Sequence, residues 1–188
     1  MTTHYIDIQV ISDPETSAPH IMGALFEKFH LALVRDRIDS IGISFPEYSV
    51  TPKTLGTVLR LHGEATALQQ LQQADWLKGV RDYVRIKAIA EAPEDAPHRA
   101  IQRKQFKTNV ERLRRRRMRR TGESEQSVKE LISEDVEQRP TLPYVKMHSR
   151  STGQSFCLYI AMGSTQPDPV SGTFNTYGLS TCATVPWF

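Results

Sequence analysis

Tyr5-Ile-Asp-Ile-Gln-Val10 places Ile6, Ile8 and Val10 on one side of an extended chain and Asp7 and Gln9 on the other. That period of two predicts a strand with one buried face. Downstream the period changes. After a turn at Ser12-Asp-Pro-Glu15, apolar Met22, Leu25, Phe26, Phe29, Ala32 and Leu33 recur at three and four between Pro19 and Arg35. This spacing predicts an amphipathic helix with proline near its start. Ile41-Gly-Ile-Ser-Phe45 and Thr57-Val-Leu-Arg-Leu61 read as strands, joined by a hairpin connection that holds Pro52 and Gly56. Ala65 to Tyr83, carrying Leu68, Leu71, Trp76, Leu77 and Val80, predicts a second helix, with Gly79 as a candidate break. Val84, Ile86 and Ala88 then alternate with Arg85 and Lys87 as a fourth strand. The order β-α-β-β-α-β is the ferredoxin-like pattern.

Glu91-Ala-Pro-Glu-Asp-Ala-Pro97 is an acidic, proline-rich linker. It divides the chain into an expected ferredoxin-like domain, residues 1–92, and an expected C-terminal domain, residues 98–188. The second holds an arginine-rich helix, an acidic polar stretch from Thr121 to Gln138, and short strands. Those strands are expected at Tyr144-Val-Lys-Met147, Gln154 to Ile160 and Thr173 to Tyr177. The class is therefore α+β. Antiparallel four-stranded sheets serve many RNA-binding modules as platforms. These strands carry no aromatic string of the RNP type, which argues against simple base stacking on the first sheet.

The 188 residues are 39% hydrophobic, enough for a true core. No apolar run approaches the ~20 residues that span a bilayer. The start, MTTHYIDIQV, lacks the basic segment and long apolar stretch of a signal peptide. Cys157 and Cys182 are too few for a disulfide framework or a zinc finger. The expectation is a cytoplasmic protein that makes no membrane contact. There is no P-loop, no HExxH, no paired-carboxylate signature and no cysteine–histidine zinc spacing. No cofactor and no metal site are expected.

The formal charge of +3 conceals an asymmetry. From Arg99 to Arg120 eleven basic residues face one acid, Glu111, for +10 over 22 positions, and the rest of the chain carries −7. Solvated charge runs generally mix signs, and this one does not. Like charges at such density repel unless a polyanion neutralises them, so nucleic acid is the expected partner. Glu111-Arg-Leu-Arg-Arg-Arg-Arg-Met-Arg-Arg120 lacks Gly and Pro and favours helix. Thr108 or Asn109 can cap it and Gly122 can close it. At about 100° per residue, Arg112, Arg115, Arg116, Arg119 and Arg120 share one arc of about 140°. Leu113 and Met118 lie outside that arc, as anchors. The guanidinium fork bonds phosphate or a guanine edge bidentately, which lysine cannot do. Upstream, Arg103 and Gln105 would project to one side of an extended segment. They suit a guanine and an adenine edge, although taken alone the pair is weak evidence against ordinary solvent-facing side chains.

Among six histidines, His30 stands at the border of the first helix's apolar face, beside Phe26 and Val34. An imidazole titrates near neutrality and suits proton transfer, yet a satisfied histidine at a core edge fits the same position. His148-Ser-Arg-Ser-Thr-Gly-Gln154 is a hydroxyl-rich turn. It reads as a phosphate-binding loop or as a plain hairpin turn. Tyr177 is either a core tyrosine or one whose hydroxyl orients a histidine.

Six segments together carry a resemblance. They are Leu25-Phe-Glu-Lys-Phe-His30, Ile41-Gly-Ile-Ser-Phe-Pro46, Arg112-Leu-Arg-Arg-Arg-Arg-Met-Arg-Arg120, Ser151-Thr-Gly-Gln154, Tyr177-Gly-Leu-Ser180 and Val185-Pro-Trp-Phe188. In this order and spacing the chain resembles, end to end, the type I-F CRISPR repeat-RNA endoribonucleases, the Csy-type enzymes that cut precursor CRISPR RNA. The resemblance implies that His30 is the catalytic histidine, Ser149 the serine that holds the ribose, and Tyr177 the tyrosine that positions His30. It places Ser151 and Thr152 beside the scissile phosphate. It makes Arg103 and Gln105 purine readers at the base of the repeat's stem. Arg115, Arg116, Arg119 and Arg120 match a helix lying in the hairpin's major groove, with Arg112 on the same arc. Phe156 matches an aromatic that stacks on the terminal base pair.

The implied reaction is metal-independent. The 2′-hydroxyl upstream of the cut attacks its own phosphate at the 3′ base of the hairpin, and the enzyme stays on its product. The implied partners are the CRISPR repeat RNA hairpin and other subunits of the type I-F surveillance complex. The competing expectation is a non-catalytic RNA-hairpin-binding subunit of a ribonucleoprotein complex, favoured if His30 lies far from Ser149 and Tyr177.

Overall fold

The computed structural model describes residues 2–11, 14–106, 110–133, 140–148 and 153–188, and at Arg112 the backbone alone. Contacts group the chain into two compact units, residues 1–104 with 142–188, and residues 105–141. The proline-rich stretch from Glu91 to Pro97 lies within the first unit. The class is α+β. Among the described residues no helix is long and apolar enough to cross a membrane.

The first unit runs β1 (His4–Val10), α1 (Ala18–Asp36), β2 (Gly42–Ser44), β3 (Ser49–Val50), β4 (Lys53–Thr54), β5 (Val58–Gly63), α2 (Ala65–Gln73), β6 (Val84–Ile86), β7 (Ala90–Glu91), β8 (His98–Arg99) and β9 (Ile101–Lys104). Beyond the second unit it resumes with β10 (Tyr144–His148), β11 (Ser155–Met162) and β12 (Val185–Pro186). Strands β2, β5, β1 and β6 lie side by side in that order, every pair antiparallel, and β7 also pairs with β1. The β3–β4 hairpin occupies the connection expected to hold Pro52 and Gly56. A second sheet has the order β10-β11-β9, also antiparallel.

The helix expected from the three-and-four spacing is α1. Ile21, Met22, Leu25, Phe26, Phe29 and Leu33 are all buried on one stripe. Burying each such side chain contributes roughly 1.5–3 kcal/mol. The helix ends where Arg37 turns left-handed and its N–H donates to the Leu33 carbonyl. At Gly23 a Cβ would stand 2.9 Å from the Lys146 carbonyl oxygen, so only glycine lets α1 sit this close to β10.

Three expectations are corrected. The second helix stops at Gln73 rather than near Tyr83, because Ala74 is extended, and Arg81–Tyr83 form a single 3₁₀ turn. Trp76, Leu77 and Val80 are buried from turns, not from a helical stripe. Residues Thr173 to Tyr177 form no strand. They lead into a turn in which the Asn175 side chain accepts from the Tyr177 and Leu179 amides at 2.9 and 3.2 Å. Finally, the polar face of β1 is covered. Asp7 is 4% exposed and accepts from Arg60 at 2.6 and 3.1 Å, with the Lys87 ammonium at 3.4 Å. The Arg60 guanidinium lies over the Tyr5 and Phe188 rings at 4.5 and 4.1 Å and donates to the Phe188 carbonyl at 2.8 Å. Burial alone would raise the Asp7 carboxyl, but Arg60 and Lys87 outweigh it and hold the group below the usual carboxylate range.

The second unit holds α3 (Val110–Thr121) and α4 (Glu125–Leu131). Gly122, at φ +70°, closes α3 as expected and donates its N–H to the Met118 carbonyl at 2.9 Å. Helix α4 lies inside the acidic stretch, where no element was expected. Ser124 caps it by accepting from the Ser127 amide at 3.3 Å.

Candidate active site

His30 lies in the last half of α1, one turn beyond Phe26, half-buried at the edge of the apolar stripe. Its imidazole stacks on the Tyr177 ring, with centroids 4.1 Å apart and planes 12° from parallel. Phe26 and Tyr177 are near-parallel at 6.3 Å. The His30 Nδ1 is 2.7 Å from the Thr176 carbonyl oxygen. A carbonyl can only accept, so Nδ1 carries a proton, and in the neutral ring the lone pair lies on Nε2. The neutral imidazole is thus held in one defined tautomer. The contact with Tyr177 is ring to ring, and His30 donates its hydrogen bond to the carbonyl of the neighbouring Thr176.

The segment that supplies these two contacts is tightly fixed. Asn175 closes the turn with its side chain, its N–H donates to the Leu179 carbonyl at 2.8 Å, and its carbonyl accepts from Gly178 at 2.8 Å. The Gly178 carbonyl accepts from the Ile43 amide on β2 at 3.0 Å. Gly178 has φ +69°, and a Cβ there would stand 2.8 Å from Ile43 and 3.0 Å from the Phe29 ring. A side chain is excluded twice, by backbone conformation and by space. The turn therefore carries Tyr177 and Thr176 to His30 across 146 residues of sequence.

Arg103 extends from β9 with its guanidinium 5.8 Å from the Tyr177 ring centre and 5.9 Å from that of Phe156 on β11. The Arg103 cation, the Phe156 and Tyr177 rings and the His30 imidazole thus form one cluster in the first unit. His148, at the end of β10, has other surroundings: its Nδ1 is 3.1 Å from the Ser155 hydroxyl. Gln105 follows the end of β9 and belongs to the second unit. Ser149, Ser151 and Thr152 lie outside the described residues, as does the Arg112 side chain. Among the described residues, no three His, Cys, Asp or Glu side chains gather as ligands for a metal ion.

In the second unit the arginines of α3 divide by their surroundings. Arg114 is 7% exposed. It donates to the Ile132 carbonyl at 3.0 and 2.8 Å and to Glu111 at 2.8 Å, which ties α3 to the end of α4. Arg117 pairs with Glu123 at 2.7 Å. Arg115, Arg116, Arg119 and Arg120 remain exposed, on the arc expected from sequence.

Sequence reading missed the Thr176 carbonyl and the Asn175 turn. The carbonyl has no side-chain signature, because its aim is set by tertiary packing. The turn did have a signal, Asn175-Thr-Tyr-Gly178, in which Asn and Gly are both turn formers.

Residues 5–188 match the family model described as CRISPR-associated protein (Cas_Csy4). The chain is 42% identical over 185 residues to the CRISPR-associated endonuclease Cas6/Csy4 of Escherichia coli (strain UTI89 / UPEC), covering 98% of this chain and 99% of the relative. It is also 42% identical, with the same coverage, to the protein of that name from Pseudomonas aeruginosa (strain UCBPP-PA14). With a family match spanning nearly every residue, including His30, Arg103, the α3 arginines and the Tyr177 turn, this chain belongs to the Cas_Csy4 family of CRISPR-associated proteins.

Proposed function

We propose that this chain is a metal-independent endoribonuclease that binds the hairpin of a CRISPR repeat and cuts precursor CRISPR RNA at its 3′ base. The observation that carries the reading is the His30 imidazole, clamped between the Tyr177 ring and the Thr176 carbonyl with Nε2 as its basic nitrogen. The names of the two relatives, both endonucleases, support the same reading. A ferredoxin-like N-terminal domain fits the β2-β5-β1-β6 order.

In this mechanism the 2′-oxygen upstream of the cut bonds to the adjacent phosphorus as the bond from phosphorus to the 5′-oxygen breaks. His30 accepts the 2′ proton, and the departing 5′-oxygen takes up a proton to become a hydroxyl. A 2′,3′-cyclic phosphate remains. Ser149 fixes the ribose for in-line attack, with Ser151 and Thr152 at the phosphate. Orientation of this kind lowers barriers by up to ~7–11 kcal/mol in favourable cases. Arg103 and Gln105 read purine edges, Phe156 stacks on the terminal pair, and the exposed α3 arginines grip the stem. Retention of the product then makes the protein a subunit of the surveillance complex.

The test is incubation with the native repeat RNA in excess EDTA. Cleavage should proceed to a 2′,3′-cyclic phosphate, a substrate with 2′-deoxyribose at the cut should bind and stay whole, and His30→Ala should bind but not cut. Dependence on added divalent metal, or cleavage of the deoxy substrate, would overturn the mechanism. An uncut native repeat that still binds tightly would establish the non-catalytic alternative.

A further inference from the structure

The β10-β11-β9 sheet has a second face that the cleavage chemistry does not use. Along β10, Val145 and Met147 point into the core and Tyr144, Lys146 and His148 point out. Across the sheet, Tyr144 stands opposite Tyr159, and Tyr159 opposite Lys104. Lys146 stands opposite exposed Cys157, and His148 opposite Ser155. The outward row is therefore Tyr144, Tyr159, Lys104, with Lys146 one step along the same face. The tyrosine rings are 5.4 Å apart and tilted by 59°, and Tyr144 is 50% exposed. These three strands contain no Asp or Glu. The face borders a cleft of about 590 Å³ between β10, the β3–β4 hairpin and α1. Tyr144, Lys146 and His148 line one side, and His20, Glu27 and Lys53 the other. That volume falls within the range that holds small organic ligands, so a nucleotide fits.

We propose that this face binds a single-stranded RNA segment flanking the hairpin. Tyr144 stacks a base, while Lys146 and Lys104 neutralise its phosphates. Sequence-tolerant stacking on exposed aromatics beside basic groups is how single strands are held, and a lysine-bearing face whose three strands hold no Asp or Glu, with Glu27 across the cleft, favours a polyanion over an apolar ligand. The inference rests on the proposed hairpin binding, but it concerns the opposite side of the sheet from Arg103 and Phe156.

Binding would be measured for three RNAs: the bare hairpin, the hairpin with a short 5′ flank, and the hairpin with a short 3′ flank made uncleavable by 2′-deoxyribose at the cut. The wild-type protein should hold at least one flanked RNA roughly fivefold or more tighter than the bare hairpin. Tyr144→Ala or Lys146→Ala should reduce that advantage toward unity, and Tyr144→Phe should keep it. The flanked RNA, unlike the bare hairpin, should slow alkylation of Cys157 relative to exposed Cys182. No flank advantage in the wild type, or the same advantage in Tyr144→Ala, would overturn the proposal. Cleavage of a bare all-ribose hairpin should stay at the wild-type rate in these variants. Loss of hairpin binding by the wild type itself would instead refute the proposed function.

Discussion

Acid should weaken this fold through one buried imidazole, and the size of the effect follows from its surroundings. His62 on β5 is 0% exposed, with Nε2 2.8 Å from the Ser44 hydroxyl and no partner for Nδ1 among the described residues. Burial, reinforced by the Arg60 charge, pushes its pKa down to about 3. In the unfolded chain a histidine titrates near 6.5. Between those values the unfolded chain binds a proton that the native chain refuses, so stability rises with pH across the window and is lost as pH falls. From pH 7 to pH 5 the loss due to His62 alone is about 2 kcal/mol. Asp7 does not confuse the measurement. Its depressed carboxyl contributes stability that is lost only as the pH falls below its ordinary value of 3.8. Urea unfolding at pH 7 and pH 5 would be compared for the wild type and His62→Gln, whose amide can still meet Ser44. The variant should lose about 2 kcal/mol less over this interval. Equal pH dependence in the two proteins, or a native imidazole that titrates near 6 by NMR, would refute the reasoning.

Gly178→Ala should destabilise the protein by roughly 1–3 kcal/mol, the cost of overpacking plus a left-handed residue, as read by urea midpoint. Because the turn carries Tyr177 and Thr176, the variant should also cut more slowly while binding the hairpin normally. On α3, replacing Arg115, Arg116, Arg119 or Arg120 by Ala should lower the slope of log affinity against log salt by about one for each phosphate contact removed. Arg114→Ala should leave that slope unchanged and instead cost about 1–3 kcal/mol of stability, since the Ile132 carbonyl loses its donor.

Local pattern alone was enough for much of this molecule. The alternation in Tyr5–Val10 and the three-and-four spacing of α1 name their elements, because periodicity is a property of neighbouring residues. The arginine arc on α3 is legible for the same reason: a helix converts spacing directly into direction. The family resemblance then attached His30, Tyr177 and Arg103 to one chemistry. What sequence could not determine depends on residues far apart in the chain. Whether Asp7 met water or a guanidinium was decided by Arg60 and by a terminal aromatic, Phe188, folding over the sheet. The end of α2 was decided by tertiary burial of Trp76, which makes an edge contact with Phe29 at 6.0 Å. The tautomer of His30 was decided by a backbone carbonyl 146 residues away, aimed by a glycine turn that only packing against Ile43 and Phe29 explains. Side-chain type sets which chemistry is available, but the hydrogen-bond partner that decides which imidazole nitrogen carries the proton is a matter of tertiary geometry.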